Sequence, residues 1–497
     1  MEEAHIAFVS TPGMGHIIPL VEFAKRLITQ HHFTATLILP AFQDDGPVST
    51  AQIAFLQSHL PAGMDYLLLP PVPLHHDARP VTRICRAMDL SLPALREALE
   101  ALMAAMMKTR RRLVALAVDL FSTGAFDVAD ELGIMPCVFY PSAAFTLSFT
   151  LYLPELDSSL QPGDEFRDLA RPVQIPGFSV PVHGKDLIDP VQDRQDETYT
   201  WVLHHAKRLS LAQAILVNSF NEAEESAVKA LQKSEPGNPP VHHPVQHPVY
   251  LVGPLVRMDS SGNNNNNNNV VGGGSECLQW LDEQPERSVL FVSFGSGGTL
   301  SHQQLIELAL GLEMSGQRFV WVIRSPSENS MAFFSTQDPG DPLSFLPQGF
   351  TQRTRNVGVV VPNWAPQHHI LSHRSTGGFL THCGWNSILE SIAYGVPLVA
   401  WPLYAEQKMN ALLLTEDLKV AMRPKASENG LVGREEIARV VKGLMGSEEG
   451  KKMREKMGYL KDAGLKAIGD EDGSSTKALD QLVSVWKSKL IKLRPFN

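Results

Sequence analysis

The stretch Trp364 to Gln407, WAPQHHILSHRSTGGFLTHCGWNSILESIAYGVPLVAWPLYAEQ, leaves this chain few folds to choose from. The apolar run Gly377 to Leu380 ends in the polar turn Thr381-His382-Cys383-Gly384-Trp385-Asn386-Ser387. Ile388 to Tyr394 then has helical spacing up to Gly395, and Val396 to Trp401 is apolar again. The order is strand, polar turn, helix, strand. A turn carrying Gly384, Asn386 and Ser387 at a helix start presents backbone N–H groups, a hydroxyl and an amide where the helix dipole favours an anion. A phosphate is the simplest ligand for it. On the turn alone a second reading stands beside this one, in which Asn386 or Ser387 merely caps the helix, as those residue types often do.

Other residues of the stretch extend the first reading. Trp364 stands beside a Pro-containing turn after the apolar strand Val357 to Val361, at the strand end where open α/β sheets bind ligands, and its indole offers a flat face to a base. Glu390, about one turn into the helix, can accept hydrogen bonds from ribose hydroxyls. Glu406 and Gln407, after strand Val396 to Trp401, offer an acceptor and an amide suited to sugar hydroxyls.

With base, ribose, diphosphate and sugar each given a partner, the stretch resembles the signature box of plant UDP-dependent glycosyltransferases, glycosyltransferase family 1, along its full length. The resemblance implies a GT-B fold, two Rossmann-like doubly wound α/β domains facing each other across a cleft. It implies that Trp364 stacks on uracil, that Ala365 contacts the uracil edge through its backbone, and that Gln367 belongs to the UDP site. His382, Asn386 and Ser387 are then expected to hold the diphosphate, Glu390 the ribose, and Trp385, Glu406 and Gln407 the transferred sugar. A terminal Gln, as at Gln407, is similar to members that use UDP-glucose. Glu406 departs from the family pattern, where Asp is commoner; the carboxylate is retained with one more methylene.

The first half contains a second constellation. His5 to Ser10 is a short apolar strand, followed by the turn Thr11-Pro12-Gly13-Met14-Gly15-His16 and a helix whose apolar positions 17, 20, 24, 27 and 28 recur at helical spacing, with Pro19 tolerated in its first turn. Gly13-x-Gly15 lacks the third glycine of a dinucleotide fingerprint. His16 is either a structural or capping histidine or, at the end of a first strand, a side chain facing a ligand crevice with a pKa suited to a general base. The continuous apolar run Leu113 to Val118 reads as a buried parallel strand that delivers Asp119 at its end. Asp119 can cap the helix Gly124 to Leu132, or accept a proton from His16 Nδ1 and leave Nε2 free to act on a hydroxyl. Plant glycosyltransferases resemble the second arrangement, which makes His16 the base and Asp119 its orienting partner. Strands Phe33 to Leu39 and Pro136 to Tyr140 complete a doubly wound half. The aromatic segment Phe139, Tyr140, Phe145, Phe149 and Tyr152 reads mostly as core, with Phe121 and Phe149 expected to shape an apolar acceptor pocket.

Size fits two large domains: the chain has 497 residues. The expected division is an acceptor-binding domain over 1–255, a flexible linker over 256–275 containing Asn263 to Asn269, a UDP-sugar domain over 276–472, and a C-terminal helix over 473–497 that packs back on the first domain. Within the second domain, strand Ser288 to Phe294 precedes Gly295-Ser296-Gly297-Gly298-Thr299, and Ser301 with Gln304 forms a capping box for the next helix. This is neither a Walker loop nor a nucleophile elbow. The resemblance makes Ser296 a further clamp on the diphosphate. Strands Arg318 to Ile323, Val357 to Val361, Gly377 to Leu380 and Val396 to Trp401 alternate with helices.

A formal charge of −10 argues against nucleic acid or an anionic membrane as partner, so a diphosphate has to be held by dipoles and hydrogen bonds. No acidic metal motif lies near the box, and no metal or resident cofactor is expected. His242, His243 and His247 sit in a proline-rich loop without the support a metal site needs. Cys85, Cys137, Cys277 and Cys383 are far apart and read as reduced thiols of a cytosolic protein. The acidic start is unlike a signal peptide, and no stretch reaches the length of a membrane span. The basic end, Lys487, Lys489, Lys492 and Arg494, reads as packing rather than membrane adhesion.

The expectation is an inverting, metal-independent UDP-glucose transferase acting as a cytoplasmic monomer. Phe294 to Ser301 and Trp401 to Gln407 resemble the branch that glucosylates small phenols such as hydroquinone, monolignols, chlorinated phenols and indoxyl. The rival from another class is a non-catalytic nucleotide-sugar binding protein. An epimerase or dehydrogenase would need a full glycine fingerprint or a Tyr-x-x-x-Lys pair, and neither is visible.

Overall fold

The computed structural model describes residues 3–42, 46–73, 78–232, 248–257, 274–327 and 340–492. Asn263 to Asn269 and His242, His243 and His247 lie outside the described residues, as does most of the expected linker 256–275; its last two positions already belong to the helix Gly274–Asp282.

A seven-stranded sheet is built from β1 (Glu3–Val9), β2 (Thr34–Phe42), β3 (Met64–Val72), β4 (Arg111–Asp119), β5 (Met135–Tyr140), β6 (Ala214–Val217) and β7 (Val249–Leu251), in the spatial order β3-β2-β1-β4-β5-β6-β7. A six-stranded sheet follows from β8 (Val289–Ser293), β9 (Arg318–Ile323), β10 (Gly358–Pro362), β11 (Thr376–Thr381), β12 (Leu398–Ala400) and β13 (Ala421–Met422), in the order β10-β9-β8-β11-β12-β13. Every pairing in both sheets is parallel. The chain divides into two units, Met1–Val256 with Leu465–Asn497, and Arg257–Gly464.

Helices on both sides explain the sequence pattern of the central strands. All residues of β5 and all but the first two of β4 are buried, so they read as unbroken apolar runs rather than alternations. The edge strand β3, MDYLLLPPV, is half exposed and carries two prolines, which an edge tolerates and a pattern search rejects.

In each sheet the winding reverses at one point, between β1 and β4 in the first and between β8 and β11 in the second. At such a point the loops leaving the two strands run to opposite faces and open a crevice at the carboxyl ends. The first turn after β1 and the end of β4 therefore lie side by side, with Val9 paired to Val118.

The last helix, Ser474–Lys492, buries Leu479, Leu482, Val483 and Trp486 in the core that β1 and β4 share. The Trp486 ring lies 5.9 Å from that of Phe33. Its basic residues are used within the same unit: Lys487 Nζ donates to the His31 carbonyl at 3.2 Å, at the end of the helix Met14–His31, and Lys489 Nζ to Gln213 Oε1 at 3.4 Å. No described helix is long and apolar enough to cross a membrane.

Truncating Trp486 to Ala empties a fully enclosed site and is expected to cost about 3–5 kcal/mol, read as a shift of the urea-unfolding midpoint of the first unit; a shift equivalent to under about 1 kcal/mol, typical of a surface position, would contradict this packing.

Candidate active site

The first crevice is built by two short loops. Gly13 precedes the helix Met14–His31 at φ 146°, a conformation that a side chain disfavours. The resulting sharp turn places His16 third in the helix. Asp119 is the last residue of β4 and has no exposed surface. His16 Nδ1 donates to Asp119 Oδ2 at 2.5 Å, and Phe121 N donates to Asp119 Oδ1 at 3.2 Å. The helix cap open to Asp119 in the sequence is not its role, because the helix Ala125–Glu131 has Gly124 at its N-cap. With Nδ1 protonated toward a carboxylate, Nε2 of a neutral His16 carries the lone pair, and 28% of the ring's surface is open.

Phe121 is half-buried beside the pair, its ring 6.2 Å from His16. On its other side, also at 6.2 Å, stands His205. His205 is buried, is joined to Thr123 Oγ1 through Nδ1 at 2.7 Å, and burial lowers its pKa to about 3. Sequence reasoning missed it, since it comes from the distant helix Glu197–Arg208. Phe149, by contrast, has no exposed surface, like Phe139 and Phe145. It packs as core and presents nothing to a ligand directly; where a helix is buried all round, as over residues 144–150, spacing cannot tell a pattern search which ring faces a pocket.

The second crevice has the same plan. Gly384 is the N-cap of the helix Trp385–Tyr394, so Trp385, Asn386 and Ser387 occupy its first three positions and neither Asn386 nor Ser387 caps it. Gln367, opening the helix Gln367–Ser372, donates through Nε2 to Ser387 Oγ at 3.0 Å and to Glu390 Oε2 at 2.7 Å. Burial holds the Glu390 carboxyl above its ordinary range. His382 lies between two glycines. A Cβ on Gly295, where φ is 74°, would come within 2.6 Å of its ring, and one on Gly384 within 2.5 Å. Burial lowers the pKa of His382 to about 4, so the ring is neutral at pH 7.

Ser296 is exposed at the turn after β8, and its carbonyl accepts from Arg324 Nη1. Ser301 caps the next helix by accepting from Gln304 N at 3.3 Å, but the reciprocal half of the expected capping box is not made. The Gln304 amide instead pairs with both main-chain groups of Val432 at 2.9 Å. Trp364 is 64% exposed just past β10, whereas Ala365 and Trp385 are buried. Glu406 precedes the helix Gln407–Leu412 and is half-buried. Gln407 Oε1 accepts from Leu403 N at 2.9 Å and Tyr404 N at 3.0 Å, so its carbonyl is committed to its own loop.

The first unit thus holds a histidine poised by a buried carboxylate, and the second a helix start surrounded by polar side chains, with an exposed indole just past β10. A model of the UDP-glucoronosyl and UDP-glucosyl transferase family matches residues 255–427. A hydroquinone glucosyltransferase from Rauvolfia serpentina is 55% identical over 491 residues, 98% of either chain. The chain belongs to the plant UDP-glycosyltransferases. UDP-glycosyltransferase 72B1 of Arabidopsis thaliana is 52% identical to the enzyme over 98% of both chains. Among solved structures, a Phytolacca americana glycosyltransferase complexed with UDP-2fluoro-glucose and pterostilbene superposes with a TM-score of 0.83 at 46% identity, covering 97% of the enzyme and 100% of that chain. A Polygonum tinctorium UDP-glucosyltransferase capable of glucosylating indoxyl gives 0.84 at 48% identity, covering 98% and 99%. The enzyme has the GT-B fold, with one Rossmann-like sheet in each unit.

Three buried histidines give the enzyme a defined acid sensitivity. His5 and His382 are lowered to about 4 and His205 to about 3, each chiefly by burial. All three lie below the unfolded value near 6.5, so between those limits the unfolded chain binds protons that the folded one refuses. Stability is expected to fall as pH drops from 6.5 toward 4, by up to about 1.4 kcal/mol per pH unit for each histidine. Glu390, raised by burial, opposes this by at most one proton. Urea unfolding at pH 7, 6 and 5 measures the slope, and equal or greater stability at pH 5 would contradict it.

Proposed function

We propose that the enzyme transfers glucose from UDP-glucose to the hydroxyl of a small phenolic or hydroxyaromatic acceptor, with inversion at the anomeric carbon and without a metal. The observation that carries this reading is the His16–Asp119 pair at the switch point of the first sheet. His16 Nε2 removes the acceptor proton as the acceptor oxygen bonds to the anomeric carbon. The bond from that carbon to the UDP oxygen breaks on the opposite face, so an α-linked donor gives a β-glucoside. Asp119 fixes the tautomer and stabilises the imidazolium that forms.

The leaving UDP is held by neutral groups. Asn386 and Ser387 at the helix start, His382 and Ser296 hold the diphosphate, and the dipole of the helix Trp385–Tyr394 meets the charge that develops there. Trp364 stacks on uracil, Ala365 and Gln367 complete the nucleoside contacts, and Glu390 takes the ribose. Trp385, Glu406 and Gln407 face the sugar, with Gln407 offering N–H donors only. Phe121 presents an aromatic face to the acceptor, in keeping with the phenolic and indolic molecules named for its relatives. Four free, buried cysteines fit a reducing compartment, which supports the cytosol as its place of action.

Turnover of hydroquinone with UDP-glucose in EDTA tests this. The natural protein is expected to form β-glucoside, and His16→Ala to lose roughly 10²- to 10⁴-fold in kcat. Full activity in His16→Ala, or an α-linked product, would overturn the mechanism.

A further inference from the structure

Asn410 lies in the helix Gln407–Leu412, fully buried, and no part of the mechanism above uses it. Its Nδ2 donates to the carbonyl of Cys383 at 3.0 Å and to Glu406 Oε1 at 3.4 Å. Its Oδ1 is buried with no hydrogen-bond partner among the described residues. Turning the amide over would press that oxygen against a carbonyl and a carboxylate, so the two acceptors dictate its orientation. A buried acceptor left unpaired weakens a fold. What Asn410 contributes to this structure is what its nitrogen holds.

That nitrogen joins two loops. One is the turn into the helix Trp385–Tyr394, where Cys383 adopts φ 66°, a left-handed conformation that a residue with a side chain rarely takes. Cys383 is held there from one side by its own N–H to Thr381 Oγ1 at 3.3 Å, and from the other by Asn410 on its carbonyl. In one planar peptide the C=O and the following N–H point in opposite directions. Drawing the Cys383 carbonyl inward to a buried amide turns the Gly384 N–H the other way, out from the core. The second loop runs from Trp401 to Gln407 and contains another left-handed residue, Ala405 at φ 55°, just before Glu406.

We infer that Asn410 is a positioning residue for the donor, a strut that sets the diphosphate turn at Cys383–Asn386 and the sugar-facing carboxylate of Glu406 at one fixed spacing. The inference rests on the UDP-glucose reading above. It assigns to a buried amide the register between the two ends of the sugar nucleotide, and so the discrimination among sugars that Glu406 exerts.

Asn410→Asp keeps the shape and loses both donors, and Asn410→Ala removes the side chain. Each is made in the natural protein and in Glu406→Ala, and kcat and KM for UDP-glucose are measured with hydroquinone, alongside the dissociation constant for UDP by calorimetry, which also reports folding. Asn410→Asp is expected to raise KM for UDP-glucose about 10-fold or more, the scale of a hydrogen bond to a charged group. In the Glu406→Ala background the same change is expected to cost under about 2-fold, because partners that act together are not additive. Equal losses of KM in both backgrounds, or an unchanged KM in variants that bind UDP normally, would overturn the inference while leaving the glucosyltransferase reading intact. Absence of UDP-glucose turnover by the natural protein would sink that reading and the inference with it.

Discussion

A carboxylate with no exposed surface has to be paired, and Asp119 is such a group at the end of a central strand. Its two oxygens are met by the Phe121 N–H and by His16. The second partner comes from 103 residues earlier in the chain. That pairing exists only because β1 and β4 are neighbours, and they are neighbours only because the winding reverses between them. Gly13 completes the requirement by letting the chain turn sharply enough at φ 146° to bring His16 over the carboxylate. Strand order, glycine and buried charge thus form one connected constraint.

The second unit meets a different electrostatic problem with the same topology. A chain of net charge −10 offers, at the β8/β11 switch point, a helix start and neutral polar side chains, and the mechanism proposed above uses these dipoles rather than cations for the diphosphate. The helix Trp385–Tyr394 starts at a glycine, so no capping side chain hydrogen-bonds its first turn. His382, kept neutral by burial, lies between the two turns of that crevice, framed by Gly295 and Gly384. A charged imidazole there would cost the fold its desolvation, and in the proposed mechanism a neutral one holds the diphosphate more weakly and lets UDP leave.

Much of this was legible in the sequence because a buried parallel strand followed by a polar turn writes itself locally. Leu113 to Val118 before Asp119, His5 to Ser10 before His16, and the run before His382 all carry that signature, and the residues at their ends are the ones the fold gathers. What the sequence hid depends on distant partners or on competition between near-equal choices. Asn and Ser are favoured caps, yet Gly384 takes that place. Gln304 has the spacing of a capping box, yet its amide is drawn 128 residues away to Val432. His205 and Asn410 carry no local mark, since their meaning lies in Thr123, Phe121, Cys383 and Glu406. Phe149 looked like a pocket ring and is core, and β6 and β13, of four and two residues, are too short for any periodicity.

The central claim is that burial of Asp119 fixes the proton of a neutral His16 on Nδ1, so that Nε2 carries the lone pair of a base. Nitrogen-15 NMR of histidine-labelled protein, with His16 assigned by its loss in His16→Gln, measures that directly on the alkaline side of the ring's titration, where it carries one proton. The account predicts a far-downfield proton on Nδ1 and an Nε2 resonance characteristic of an unprotonated nitrogen. A neutral ring carrying its proton on Nε2, the other tautomer, would contradict it.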